Sequence, residues 1–484
     1  MTSGRISPPP SGDDRGPKNT PSSVPHSTDH GPTKEVADPS NPMANARILH
    51  ASKHKVDGKT LLVFYNNQFR RWNGLCWPVL DEEVLRADIR QFFEYAYYMV
   101  NTSQGMAKEG FKPTKAKVSE IVDALKAVTI ESDRDMPSWL NSGIVIPPIE
   151  ILPMANGPLW IPEQVAMPPM SEFFNSYALP YEFDGDAAPP QRWHQFLDEL
   201  CGDDTESIQL LQEQYGYLLT PDTSQQKILL VVGPMRSGKG TIGSVIRALL
   251  GDHNVAGPTL SGLCTNFGLQ PLVDKPAAII SDARLGKGRD SATAVERLLS
   301  ISGEDALIVD VKYKTPYTVK LPTRLIIMTN EVPALADSSG ALASRFLTLR
   351  LTESFLGRED PTLSNKLLDE LPGILLWALE GRQRLYERGF FIQPESGRAI
   401  IDDLVELSSP ITAFVEDRCV LGPRQRVVMA DLYANWRNWC DETNRNPGSN
   451  TTFSVELRTA YPQVESRRGS GTPRMREYVG IGLA

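Results

Sequence analysis

The chain has 484 residues, 40% of them hydrophobic and 8% aromatic, which is enough for two or three domains with real cores. No uninterrupted apolar run reaches about 18 residues, so no membrane-spanning helix is expected, and the five scattered cysteines form no C-x-x-C pair, so neither a zinc ribbon nor a disulfide framework is indicated. A net charge of −9 argues against a surface coated in positive potential, yet it leaves room for nucleic acid held in a local basic channel.

Residues 1–50 are dominated by Pro, Ser, Gly and Asp and cannot bury enough apolar surface to order themselves. They are expected to be a disordered tail, with Met43 a candidate start. No charged-then-apolar leader opens the chain, and a reducing cytoplasm fits the cysteine usage.

Residues 51–190 are expected to form a mixed α/β accessory domain. LLVFYNNQFRRW predicts a hairpin turning at Asn66-Asn67. The segment after Pro78 has helical spacing, on which Glu82, Glu83 and Asp88 form a solvated face rather than a carboxylate cluster for primer synthesis. VIPPIEILPMANGPLWIPEQVAMPP predicts loop and short strand.

Residues 191–395 carry an alternating pattern. Helical spacing in WHQFLDELCG and ESIQLLQEQYGYLLT precedes three short apolar runs, KILLVVG, KPAAIISDAR and TRLIIMTNEVP. Continuous apolar runs of this length read as buried parallel strands, and their alternation with helices predicts a parallel-sheet α/β core.

Residues 396–484 are expected to be mostly helical, then basic and turn-rich. VVMADLYANWRNWCDETN and TTFSVELRTAYPQV have helical spacing, with Trp436 and Trp439 assigned to the core by their i, i+3 separation. SRRGSGTPRMREYVGIGL predicts a two-stranded wing around Gly469-Ser470-Gly471, carrying Arg467, Arg468, Arg474 and Arg476. Helices followed by a basic hairpin suggest a winged-helix-like domain that binds duplex DNA through its phosphates.

The chemistry starts at VVGPMRSGKGT. Gly233, Pro234, Met235, Arg236, Ser237, Gly238 and Lys239 follow the phosphate-loop pattern, between a predicted strand and a predicted helix. Backbone N–H groups of such a loop cradle phosphate, and Lys239 would sit on the β/γ-phosphates of ATP. The residue after the lysine should carry a hydroxyl for Mg²⁺, but it is Gly240; Thr241, or a water in its place, would complete the metal shell. The G-K-G-T ending resembles adenylate kinases, which keeps a nucleoside monophosphate kinase open as a reading. More than two hundred residues precede this loop, however, whereas such kinases carry it near the start of a short chain.

The second apolar strand ends in Asp282, which could hold the hydrated metal and orient the attacking water. The third ends in Asn330, within reach of the γ-phosphate. Ala343-Ser344-Arg345-Phe346 then sets an arginine ahead of another apolar run, LTLRL. Arg345 could neutralise charge on the transferring phosphoryl group of a neighbouring subunit; a surface ion pair is the plainer alternative. Between the second and third elements, ALIVDVKYKTPYTVKLPTRL predicts a hairpin with Lys312-Tyr313-Lys314 at its tip. Lys312 and Lys314 would share one strand face, and cations beside an aromatic ring suit a single-strand channel. A solvated tip is the alternative.

The order of phosphate loop, acid-tipped strand, asparagine-tipped strand and arginine resembles an AAA+-type ring ATPase. From about residue 55 to the end, the chain resembles the superfamily 3 helicases, in the branch of phage and plasmid primase–helicases and poxvirus-type nucleoside triphosphatases. The resemblance implies an ATP- and Mg²⁺-dependent helicase. It places Lys239 and Thr241 in the first motif, Asp282 in the second, Asn330 in the third, and Arg345 as the inter-subunit finger. It further implies a homohexamer with single-stranded DNA in a central pore gripped by the Lys312/Lys314 hairpin, in the cytoplasm of a bacterial host, with a separate primase or origin-binding protein as partner. Departures from the family pattern are Gly240 and the single Asp282. A nucleotide-dependent DNA-binding or packaging ATPase that does not unwind remains the alternative in another class.

Overall fold

The computed structural model describes residues 37–132, 134–140, 143–281, 283, 289–312, 315–333, 335, 337, 340–408, 410–443, 445–469 and 475–484. Two units are present: 1–63, 71–74 and 80–130 make the smaller, and 64–70, 75–79 and 131–484 the larger.

Three capped helices build the smaller unit: Pro42–Lys53, Glu82–Phe92 and Lys115–Thr129. The side chains of Asn41, Asp81 and Thr114 accept hydrogen bonds from their first-turn N–H groups. Leu49, Leu85, Ile89, Phe93 and Leu125 are buried there. The first of these helices begins inside the stretch 1–50, whose composition had suggested a tail. Its order comes from a local cap and from a few apolar side chains, Ala46 and Leu49, that composition averages away. The hairpin at Leu62–Tyr65 and Gln68–Arg71 turns at Asn66 and Asn67, with φ of 47° and 58°. Asparagine tolerates that left-handed region better than most residues do, which is why the pair marks the turn.

The larger unit is built on a five-stranded parallel sheet. Helix α1, Gln191–Cys201, and helix α2, Thr205–Leu219, precede it. The strands are β1 (Ile228–Val232), β2 (Val255–Ala256), β3 (Ala277–Ile280), β4 (Arg324–Thr329) and β5 (Phe346–Arg350), in the order β2-β3-β4-β1-β5. Nearly every residue of β1, β3, β4 and β5 is buried, as the continuous apolar runs require of strands covered on both faces. Helix α3, Lys239–Leu250, leaves the end of β1, and helix α4, Leu371–Arg388, packs on α2. The α2–α4 approach is close enough that a Cβ on Gly216 would lie 2.3 Å from the Ala378 carbonyl, and one on Gly381 would lie 2.4 Å from that of Gln212. Glu213, buried in this interface, is held by Arg384 at 2.8 Å and by Arg388.

Between β3 and β4, Leu307–Val309 pairs antiparallel with Tyr317–Val319, so the predicted hairpin exists. The ladder stops at Val309 and Tyr317, since Pro316 has no N–H to extend it. Lys312 therefore lies in a turn, not on a strand, and the two-residue strand period does not orient it. Lys314 and Tyr313 lie outside the described residues.

The chain ends in an antiparallel sheet beside two helices: β6 (Cys419–Val428), α5 (Met429–Glu442), α6 (Asn450–Ala460), β7 (Glu465–Arg468) and β8 (Arg476–Leu483), with sheet order β6-β8-β7. The wing pairs as its sequence suggested, but β6 is a third strand where helix and turn were expected. Gly422-Pro423 reads as a break; the structure absorbs it in a register shift between Leu421 and Arg426, on an edge strand where proline costs no ladder bond. Trp436 and Trp439 stack at 5.5 Å in the core with Phe414, Phe453 and Tyr478. No helix among the described residues is long and apolar enough to cross a membrane.

Candidate functional site

At the end of β1 the chain turns sharply. Gly233 N–H donates to the Thr329 carbonyl at 3.2 Å, which ties the loop to the end of β4. A Cβ on Gly233 would lie 2.7 Å from that of Leu351, so only glycine passes there. Arg236 and Gly238 have φ of 60° and 85°. Gly238 is the N-cap of α3 and gives no side-chain cap, and α1 closes over it through Leu200 and Phe196. Among the described residues the first turn of α3 therefore has no side-chain cap, and it lies at the positive end of the helix dipole.

Lys239 lies across this loop. Its Nζ donates to the carbonyls of Gly233 at 2.6 Å and Pro234 at 2.7 Å, and to Ser237 Oγ at 3.1 Å. Burial pushes its ammonium below the usual lysine range. Among the described residues this cation is held by neutral oxygens, and a cation so held next to helix N-terminal amides can receive an anion such as phosphate. Pro234 and the exposed Met235 form the outer edge of the turn. A Cβ at Gly240 would meet nothing within 4 Å, so packing does not require glycine there. Thr241, half-buried one position on, lines the cleft and can offer its hydroxyl to a metal ion.

The cleft has a volume of about 350 Å³ and joins the loop to Asn330 at the tip of β4. Adjacency of β4 and β1 in the sheet brings Asn330 there. The segment after β5 forms the opposite wall, which the sequence did not reveal. Phe355 N–H donates to the Arg236 carbonyl at 2.9 Å, Ser354 Oγ donates to that of Met235 at 2.9 Å, and Glu359 faces Arg236 at 3.6 Å. SFLGRED matches no motif and reads as a polar connection, so only its three-dimensional return to the loop marks it. Asp360 also lines the cleft, but its carboxylate is held below the usual range by hydrogen bonds from Thr362 and Lys366.

The other predicted residues lie elsewhere. Arg345 sits at the opposite end of the sheet, before β5, with its guanidinium on Gln226 Oε1 at 2.6 Å and the Ser302 carbonyl at 3.3 Å. Asp282 is outside the described residues. Lys312 is exposed at the hairpin tip. On the C-terminal sheet Arg468 and Arg476 stand directly opposite each other, both exposed, whereas Arg467 bonds Glu465 at 2.7 Å and faces Glu477. Like charges paired across a ladder are destabilising, and an anion relieves them. Arg424 and Arg426 on β6 are also exposed and add to this basic sheet; the broken pattern of β6 had hidden them. Arg474 is outside the described residues.

The family described as "Family of unknown function (DUF5906)" matches residues 231–345, the span from β1 and the loop to Arg345. The apo structure of the NrS-1 C terminal region (305–718) is similar over 91% of this chain and 99% of its own, with a TM-score of 0.51 and 11% identity. Two A form apo structures of that region match over 91% of this chain and 100% of their own, each with a TM-score of 0.49 and 11% identity. The likeness at 0.51 is one of fold, an α/β architecture around a five-stranded parallel sheet.

Proposed function

We propose that this chain is an ATP-driven, ring-forming DNA helicase of a mobile element's replication machinery, with an AAA+-type core and a winged-helix-like C-terminal domain. One observation carries the reading: a single cleft joins the uncapped N-terminus of α3, the ammonium of Lys239 and the side chain of Asn330. The family match over 231–345 and the fold likeness fit a phage primase–helicase-like protein.

In this reading the amides of residues 235–240 and Lys239 hold the phosphates of ATP. Lys239 exchanges its three loop acceptors for phosphoryl oxygens and places a fixed positive charge where charge develops. Thr241 and Asp282 would hold Mg²⁺, which would supply charge neutralisation to the phosphoryl group being transferred. Asn330 hydrogen-bonds the γ-phosphoryl group or orients the attacking water. Phe196 and Phe355 supply apolar walls in the same cleft. Arg345 serves the site of a neighbouring subunit in a homohexamer. The Lys312/Lys314 tip grips the backbone of one strand in the central pore, and the arginine-rich C-terminal sheet loads duplex DNA. Primer synthesis is not part of the proposal.

Strand displacement from a forked duplex tests the reading against a non-unwinding ATPase. The parent protein should separate the strands in the presence of ATP and Mg²⁺, and Lys239→Ala should not. ATP hydrolysis stimulated by single-stranded DNA without displacement would favour the packaging class instead. Phosphoryl transfer to a nucleoside monophosphate would favour the kinase.

A further inference from the structure

Arg345 joins three segments at the end of the sheet opposite the phosphate loop. Its Nη1 donates to Gln226 Oε1 at 2.6 Å, and also to the Gln226 carbonyl at 3.4 Å and the Ser302 carbonyl at 3.3 Å. Ser302 is the last residue of the helix Arg289–Ser302, where carbonyls have no partner within the helix. The guanidinium therefore caps that helix, at the negative end of its dipole. The first hairpin strand, Leu307–Val309, follows directly. Leu298 and Ile301 of the helix and Leu307 and Val309 of the hairpin are buried in one apolar cluster, so strain at the helix end is passed to the hairpin root.

Gln226 holds this arrangement together. It is half-buried, and its backbone has φ of 52°, in the left-handed region that glutamine seldom adopts. Its side chain accepts from Arg345 through Oε1 and donates through Nε2 to the Gly303 carbonyl at 3.4 Å. One side chain thus bonds both the guanidinium and the helix end it caps. Two further bonds join the same segments: the Thr223 hydroxyl donates to Glu304, and Lys227 Nζ donates to the Ser344 carbonyl at 2.7 Å. Strained backbone held in place by such a network is a mark of function.

Among the described residues the bonds of Arg345 go to neutral oxygens. Leaving them breaks neutral hydrogen bonds and no ion pair, so a phosphoryl group can draw the guanidinium away. We propose that Gln226 is a positioning residue that keeps Arg345 docked on the root of the hairpin, and that transfer of the arginine to a phosphoryl group of the neighbouring subunit frees that root. This rests on the trans role of Arg345 proposed above. One guanidinium cannot cap Ser302 and reach a neighbour's phosphate at once, so the arginine links nucleotide state to the hairpin. Docking also limits the rate, because only the undocked fraction is competent.

The test uses the full chain and pairs steady-state ATP hydrolysis with amide hydrogen exchange over Gly303–Val309. Gln226→Gly removes the side-chain acceptor and suits the positive φ of the position, so the fold is kept. It should raise kcat about tenfold at unchanged KM, the scale of one hydrogen bond to a charged group. Gln226→Glu holds the guanidinium with a carboxylate and should lower kcat about tenfold at unchanged KM. In the parent, ADP with aluminium fluoride should quicken exchange over Gly303–Val309. Exchange should already be quick without nucleotide in Gln226→Gly, and quick and indifferent to nucleotide in Arg345→Ala. A purely structural role for Gln226 would quicken exchange without raising kcat. Normal hydrolysis by Arg345→Ala would sink the trans role and this proposal with it. Loss of hydrolysis in Arg345→Ala, with Gln226→Gly no faster than the parent or with parent exchange blind to nucleotide, would overturn the docking alone.

Discussion

The guanidinium of Arg345 donates to Gln226 Oε1 at 2.6 Å, at the end of the sheet opposite the phosphate loop. Phe346 is in register with Ile228, so Arg345 lies about 16 Å or more from the loop, the length of the five residues of β1. It cannot serve the site of its own chain. Arg345→Ala should keep ATP binding and lose hydrolysis, and mixing it with Lys239→Ala should restore turnover at mixed interfaces. Each such interface needs one intact loop and one intact arginine. Steady-state hydrolysis in mixed assemblies measures this, and no recovery in well-mixed rings would contradict the trans role.

Gly233 and Gly240 should respond oppositely to added side chains. Gly233→Ala drives a Cβ against Leu351 and should cost about 1–3 kcal/mol and weaken nucleotide binding. Gly240→Ser enters open space and should leave stability within about 0.5 kcal/mol. Thermal unfolding with and without ADP checks both.

The chain made much of this legible. Buried parallel strands announce themselves as unbroken apolar runs, and the Asn66-Asn67 turn and Gly233 reflect backbone demands that few residues meet. Less visible was anything that depends on return in space. Phe355 reaches the loop only because β5 lies beside β1, and β6 was hidden because a bulge absorbs Gly422-Pro423. The strand face assigned to Lys312 failed because Pro316 ends the ladder early.

The wing arginines should not be equivalent. Arg468→Ala or Arg476→Ala removes one of two facing cations, whereas Arg467 is already offset by Glu465 and faces Glu477. Duplex binding should weaken in the first two and show a salt slope shallower by about 0.9 per lost phosphate contact. Arg467→Ala should change it little. Titrations of duplex DNA at several salt concentrations report the difference.

Acid should loosen the smaller unit through His54. Burial first, then the nearby charges of Arg71, His50 and Lys53, push its imidazolium down to about 4 from 6.5. The folded chain therefore keeps His54 neutral while the unfolded chain takes up a proton, so its contribution is full above about pH 6.5. It is lost as pH falls towards 4, by roughly 3 kcal/mol in all. Hydrogen exchange in Pro42–Lys53 should accelerate across that window, and His54→Leu should flatten the dependence.

The central claim is that the Lys239 cleft drives movement along a single strand held by the hairpin tip. ATP hydrolysis measured with and without single-stranded DNA, in the parent and in the Lys312→Ala/Lys314→Ala double variant, tests it most directly. The account predicts strong stimulation in the parent, an intact basal rate but lost stimulation in the variant, and a drop of about a hundredfold or more in both rates for Lys239→Ala. A parent indifferent to DNA, or a double variant stimulated as strongly as the parent, would contradict it.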